Sequence, residues 1–276
     1  MNSRLKGLAV ITASLVGIAV SGVGHAAATY GNLDTTGFGT ASVLAYRDAV
    51  YMGTNGVIQN GNWTIDTTGG FEVALRAKNR SDFSLFDGPT GTYKVPAGIC
   101  GVAPYAAACG SGIRAGWNYE FSVNTRAGAN NSNNPDLTQI GARIRVDTDP
   151  TAGQVWSLWI DVTSNWGDNA YWDGVDEAGP TDERRVAAGP ALVGEFGVQQ
   201  SVNPMFANSL FQPGFNPFAE GLYDIQLAVA DCDLNGTTVC TARASTSITV
   251  QVPEPGTLAL LGLGLLGAGF ARRRKQ

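Results

Sequence analysis

Apolar and polar residues alternate through most of the chain's interior. Phe71, Val73 and Leu75 alternate with Glu72, Ala74 and Arg76, and Trp117, Tyr119, Phe121 and Val123 alternate with Asn118, Glu120, Ser122 and Asn124. Ile140, Ala142, Ile144 and Val146 follow, then Trp156, Leu158, Ile160 and Val162, then Tyr223, Ile225, Leu227 and Val229, and finally Ile248, Val250 and Val252. A period of two predicts strands with one buried and one polar face. Turn chemistry separates them in "GNLDTTGFGT", "NNSNNPD" and "PGFNPF". Between two strand-like runs, Asn235-Gly236 is a hairpin signal. Many half-buried strands must cover each other's apolar sides, so the expected fold is all-β, an antiparallel β-sandwich of jelly-roll or Ig-like type.

Only the two ends break this pattern. Arg4 and Lys6 precede an apolar run from Leu8 to Val20, and small residues follow at Gly24–Ala28. Residues 1–28 therefore read as a secretory signal helix that is cleaved, with a retained N-terminal membrane helix as the alternative. At the other end, Thr257–Phe270 is an uncharged run containing six leucines and one phenylalanine. As a helix it would span about 21 Å, short of a hydrocarbon core of roughly 30 Å. Gly262, Gly264, Gly267 and Gly269 dilute its apolar surface further. Arg272, Arg273, Arg274 and Lys275 are costly to translocate and stay cytoplasmic, which puts everything before the short transmembrane helix on the far side. Just ahead of that helix, Pro253-Glu254-Pro255 holds the chain extended and accessible at the membrane surface.

The ordered triple of Pro-Glu-Pro, a short Leu/Gly helix and an Arg-rich terminus resembles the PEP-CTERM sorting signal of Gram-negative bacteria. The resemblance covers Pro253 to Gln276, and a plain tail anchor is the competing reading. It implies recognition by exosortase, an integral membrane enzyme, with Pro253, Glu254 and Pro255 as the recognised residues. It also implies transient inner-membrane insertion, then placement at the cell surface or release outside, often beside exopolysaccharide. The segments "WNYEFSVNT" and "GLYDIQLAVAD" resemble the uncharacterised exported domain of other PEP-CTERM proteins, which brings no activity with it. Three parts result: a signal peptide (1–28), an exported β-sandwich (29–252, two smaller domains being the alternative) and the sorting signal (253–276).

Charge and composition narrow the function of the body. Two basic residues lie in the leader and four in the tail, leaving 12 of 18; Glu254 alone leaves the acidic count, which becomes 22 of 23. A net charge near −10 repels nucleic acid, so none is expected as a partner. The sole histidine, His25, falls inside the leader. The body therefore lacks the histidine of Ser-His-Asp and Cys-His machinery, of mixed zinc sites and of pH switches. Four cysteines form two local pairs, Cys100 with Cys109 and Cys232 with Cys240. Three connectivities exist. Export favours disulfides, and local loops of about ten residues would each supply roughly 2.5–3 kcal/mol. A four-cysteine metal site wants closer spacings.

Three strings carry candidate chemistry. Asp231-Cys232-Asp233-Leu234-Asn235-Gly236 fits the first half of a calcium loop, but the twelfth position, which needs a bidentate glutamate, is Ala242. The segment from Asp161 to Arg185 gathers acids with Trp166, Tyr171 and Trp172, which suggests glycan contacts; a solvated loop with core-capping aromatics is the alternative. A glycoside hydrolase would need two carboxylates across a cleft, and no pair stands out. No catalytic, cofactor or metal residue is assigned. The expected function is a non-enzymatic structural or adhesive protein of the cell surface or extracellular polysaccharide matrix. A carbohydrate-binding module and a carboxylate hydrolase are the alternatives.

Overall fold

The computed structural model describes residues 28–33, 49–51, 57–59, 61–105, 112–127, 133–151, 153–163, 169–172, 184–186, 193–206, 209–231 and 242–253. The expected signal helix and short transmembrane helix lie outside them, as does the Asn235-Gly236 turn. Fourteen strands occur among the described residues. The first seven are β1 (Thr29–Gly31), β2 (Ala49–Tyr51), β3 (Val57–Gln59), β4 (Trp63–Thr68), β5 (Phe71–Asn79), β6 (Thr92–Lys94) and β7 (Trp117–Asn124). The others are β8 (Gly141–Val146), β9 (Ile160–Asp161), β10 (Asn169–Trp172), β11 (Arg184–Val186), β12 (Gly197–Val202), β13 (Gly221–Ala230) and β14 (Ala242–Val252).

These strands build a seven-stranded sheet in the order β1-β4-β5-β7-β12-β10-β11 and a five-stranded sheet in the order β6-β14-β13-β8-β9; β2 and β3 pair separately. The two large sheets face each other across one core. Phe71, Val73, Leu75, Trp117, Tyr119, Phe121 and Val123 come from the first sheet; Ile144, Val146, Tyr223, Ile225, Leu227, Ile248 and Val250 come from the second. Phe211 and Phe215 close one end of this core, with ring centroids 6.2 Å and 5.8 Å from Trp117 in edge-to-face geometry. Polar stitches cross between the sheets at β4. Thr64 Oγ1 lies 3.0 Å from the Tyr93 hydroxyl, and the Ser245 amide donates to Asp66 Oδ2 at 2.8 Å.

Among the described residues all strand pairings are antiparallel but one. β6 runs parallel to β14, pairing Thr92 with Thr249 and Lys94 with Gln251. The chain between β5 and β7 leaves one sheet, joins the edge of the other and returns, so β6 arrives without reversing direction. The expectation of a wholly antiparallel fold is corrected at this edge. The tightest hairpin is β4–β5, closed by Gly69 at φ 60° and Gly70 at φ 83°. Positive φ at both central positions is the geometry of a type I′ turn, whose twist suits the flanking strands.

Two expectations about faces also need correction. The apolar positions of Trp156–Val162 do not form a buried stripe: Leu158 is 73% exposed, and the strand shrinks to β9 with a lone bridge between Asp147 and Trp156. More far-reaching, the polar face of the central strands is not solvated. β5, β7 and β12 are buried on both sides, so Glu72, Arg76, Lys78, Asn118, Glu120, Ser122, Asn124, Gln199 and Ser201 all lie away from water. The apolar positions Trp63 and Ile65 of β4 also point to this second side, where they cluster with Leu33 and Ala74.

Buried polar groups persist only when partnered. Asn118 Nδ2 donates to Ser201 Oγ at 2.7 Å, Gln199 Nε2 to Ser122 Oγ at 3.0 Å, and Asn203 Nδ2 to Asn118 Oδ1 at 2.9 Å. The charged members are Arg76, whose Nε meets Glu120 Oε2 at 2.6 Å, and Lys78, whose Nζ meets Glu120 Oε1 at 2.5 Å, all with side chains 0% exposed. Arg76 also donates to the Gly61 carbonyl at 2.7 Å and lies 4.2 Å above the Trp63 ring. Burial alone pushes the Glu120 carboxyl up, but the charges of Arg76 and Lys78 outweigh it and hold the group below its ordinary value of 4.5.

Two outcomes follow. Glu120→Gln strips two buried cations of their shared counter-charge and is expected to lose about 3–5 kcal/mol in urea denaturation. Because the folded carboxyl is depressed, its contribution in the wild type is complete above the unfolded value and disappears as pH falls through the folded one. Acid titration of stability should therefore be steeper in the wild type than in Glu120→Gln. Gly70→Val forces a β-branched residue into left-handed backbone and should cost about 1–2 kcal/mol by the same assay.

Candidate functional site

The outward face of the five-stranded sheet is built differently from the sealed one. Core residues of β13 and β14 alternate with Asp224, Gln226, Ser247 and Thr249, and register places Asp224 opposite Thr249 and Gln226 opposite Ser247. β8 adds Arg145 opposite Gln226, and β6 adds Thr92 beside Thr249. These side chains are half-buried or exposed, so short hydroxyl and carboxamide groups meet solvent along a flat strand surface. Thr92, Asp224, Gln226, Ser247 and Thr249, with Thr90, Gly91 and Gln154, line a hollow of about 300 Å³, and Arg145 stands beside it.

Asp224 organises the hollow. Its Oδ1 accepts from Thr249 Oγ1 at 2.5 Å and its Oδ2 from Gln154 Nε2 at 2.8 Å. Beside it, Gln226 Oε1 accepts two bonds from Arg145, from Nε at 2.9 Å and from Nη2 at 2.7 Å. The Arg145 guanidinium carbon lies 4.4 Å from the Trp156 ring centre and 4.5 Å from that of Trp159. Its partial burial among these groups pulls the guanidinium below its ordinary value. Cation and rings fix each other, leaving two half-buried indoles at the edge of a polar hollow. Aromatic surface beside hydroxyl and amide groups suits a ligand with apolar ring faces and many hydroxyls.

Sequence reasoning missed this face. Trp156 stands on the core parity of its run, and Trp159 stands on the opposite parity. An aromatic at both parities of "WSLWI" was the available signal that the run is no ordinary amphipathic strand. The glycan contacts expected from sequence lie elsewhere. Trp166 is outside the described residues, while Tyr171 and Trp172 are consecutive positions of β10, paired with Val198 and Gly197. Consecutive strand positions alternate between faces.

The other expected sites are placed as follows. Asp231, first position of the calcium-like string, is bound by Arg243, whose Nε donates to Oδ2 at 2.7 Å, and Ala242 lies buried in β14 with no side-chain oxygen to offer. Asp233 and Asn235 are outside the described residues, and among the described residues no group of metal-ligating side chains is gathered. Cys100 is disulfide-bonded; Cys109, Cys232 and Cys240 lie outside the described residues. Many carboxylates hold backbone turns. Asp82 binds the Ser84 amide and hydroxyl, and Asp136 binds those of Thr138 together with the Gly194 amide. Hydrogen bonds from Ser84 hold Asp82 below its ordinary value; Asp136 is also held below it, its donors outweighing burial. That direction is the reverse of what a general acid needs.

β14 ends at Val252. Val252 is buried and makes the last rung with Gly221. Gly221 is forced there by close approach, since a Cβ would stand 2.3 Å from that of Pro150. Leu222 donates its amide to the Pro150 carbonyl at 3.0 Å, bracing the exit. Pro253 follows at once and is exposed; Glu254, Pro255, Arg272, Arg273, Arg274 and Lys275 are outside the described residues.

Residues 251–275 match the PEP-CTERM protein-sorting motif. The signal marks an exosortase-sorted protein, exported through the membrane and placed at the surface after processing. The motif starts inside β14, at Gln251, so no spacer separates the sheet from Pro-Glu-Pro. No curated protein and no solved structure matches the chain.

Arg145→Ala should free both indoles. The expected result is a red shift of tryptophan emission with a stability loss near 1 kcal/mol, the scale of an exposed cation–ring contact, read by fluorescence-monitored denaturation.

Proposed function

We propose that this exosortase-sorted surface protein is a non-enzymatic structural or adhesive component of the polysaccharide layer, and that its body is a β-sandwich. The carrying observation is the open face of the five-stranded sheet, where Trp156 and Trp159 grip Arg145 beside the hollow centred on Asp224. Indole faces stack on sugar rings, while Asp224, Gln226, Gln154 and Thr249 present acceptors and donors to hydroxyls. The acidic body favours a neutral or weakly charged polymer, because a strongly anionic one would be repelled. In this reading the sequence-derived carbohydrate-binding alternative merges with the adhesive one, and the contact residues become Gln154, Trp156 and Trp159 of the β8–β9 connection with Asp224, Gln226 and Thr249 of β13 and β14. Local pairing of Cys100 with Cys109 and Cys232 with Cys240 belongs to the same reading, as staples suited to an oxidising exterior.

What supports a non-enzymatic role is the employment of the carboxylates. Asp66, Asp82, Asp136, Asp147 and Asp224 accept bonds from neighbouring side chains and amides that shape the scaffold. A glycoside hydrolase needs two such groups free across a cleft.

The test follows the mature protein in cells with and without the sorting enzyme and compares Trp159→Ala with the wild type. Loss of the enzyme should leave the tail uncut. Trp159→Ala should still be processed but release from purified surface polysaccharide about tenfold more readily, equivalent to about 1.4 kcal/mol. Equal retention of both proteins removes the open face from the account; an uncut tail in both strains removes the processing.

A further inference from the structure

The sealed face of the seven-stranded sheet holds a set of groups that neither sorting nor surface adhesion uses. Lys78 on β5 stands directly opposite Asn118 on β7, and Glu120 lies one position along the same face of β7. All three side chains are fully buried. Direct cross-strand partners have Cβ atoms about 4.5–5.5 Å apart, well within the reach of a lysine stem. The Glu120 Oε1 atom is 2.5 Å from Lys78 Nζ. On its other side, Asn118 is held by two groups with distinct roles: Asn203 Nδ2 donates to its Oδ1 at 2.9 Å, and its own Nδ2 donates to Ser201 Oγ at 2.7 Å. Asn203 is itself fixed by bonds to the Ala115 and Trp117 carbonyls at 2.9 Å and 3.1 Å.

A lysine, a carboxylate and a carboxamide, close together and shut off from water, are the reactants for amide exchange. We propose that Lys78 and Asn118 become joined by an intramolecular amide bond, made by the folded chain itself with Glu120 as the proton carrier.

The chemistry balances without any further reactant. Glu120 takes a proton from the Lys78 ammonium, leaving a neutral amine and a neutral acid. The Nζ lone pair attacks Cγ of Asn118, and the charge developing on Oδ1 is met by the Asn203 N–H. Glu120 returns the proton to Nδ2, the Cγ–Nδ2 bond breaks, and Nζ sheds its second proton through Glu120 to the departing ammonia, which leaves as ammonium. One Nζ–Cγ bond forms, one Cγ–Nδ2 bond is lost, and a lysine ammonium is exchanged for free ammonium.

Two physical features favour the first step. Burial, reinforced by the charges of Arg76 and Arg80, holds the lysine below its ordinary value against the pull of Glu120. In addition, Glu120 serves two cations at once; once Lys78 is acylated, Arg76 and Glu120 remain as a one-to-one pair. The reaction thus removes a buried charge that the fold otherwise has to accommodate. The bond would tie β5 to β7 at the centre of the larger sheet, a covalent brace distinct from any disulfide.

The test is mass spectrometry of the folded full chain, isolated as a single species by size exclusion and then reduced. The expected intact mass is one ammonia below that of the sequence after allowing for processing at the ends. A protease digest should give a branched peptide joining the segments around Lys78 and Asn118. Lys78→Met and Asn118→Ala should each restore the full mass, and the wild-type digest decides the matter if either fails to fold. Separate linear peptides carrying an unmodified Lys78 and an intact Asn118, from folded protein held for days at growth temperature, would overturn the proposal. So would conversion of Asn118 to aspartate with Lys78 free.

Discussion

One carboxylate shared by two buried cations constrains the larger sheet. Glu120 meets Arg76 and Lys78 with no water at hand, on the side of β5 and β7 that faces away from the common core. A slip of β5 by one residue against β7 would turn both cations into the aromatic core and bring Val73 and Leu75 to the polar side. The ion triad and the core therefore specify the same register from opposite faces. Asn118, Asn203, Ser201, Ser122 and Gln199 extend that agreement to β12, so three central strands are locked by directional bonds as well as by packing.

The two sheets consequently divide the work. The seven-stranded sheet is a closed slab at its centre, its polar face spent on internal bonds. The five-stranded sheet keeps its polar face open, and there the hollow, the gripped arginine and the two indoles meet solvent. The sorting signal leaves from β14, a strand of this open sheet, directly after a buried valine. Pro253, the first residue of Pro-Glu-Pro, follows Val252 directly.

How much of this was legible in the sequence depends on how local each signal is. The sorting signal is a contiguous string whose physics needs no partner, and it was readable in full. The stripes on β5, β7, β8, β13 and β14 were readable because alternation reports which residues share a side. Alternation does not report whether the polar side meets water; Lys78 and Arg243 look alike in the sequence, and only the first is buried. The parallel entry of β6 and the meeting of Trp156, Trp159 and Arg145 depend on chain segments brought together by topology, which no local pattern encodes. The Gly69-Gly70 turn is a local signal of the same kind, two glycines between two alternating runs.

The division into a closed and an open face is tested most directly by carbodiimide labelling of carboxylates in the native exported protein, mapped by peptide mass spectrometry. Asp231, half exposed in its pair with Arg243, should label readily, and Glu120 should stay unlabelled until the protein is unfolded. Labelling of Glu120 in the native state at a rate near that of Asp231 would contradict the account.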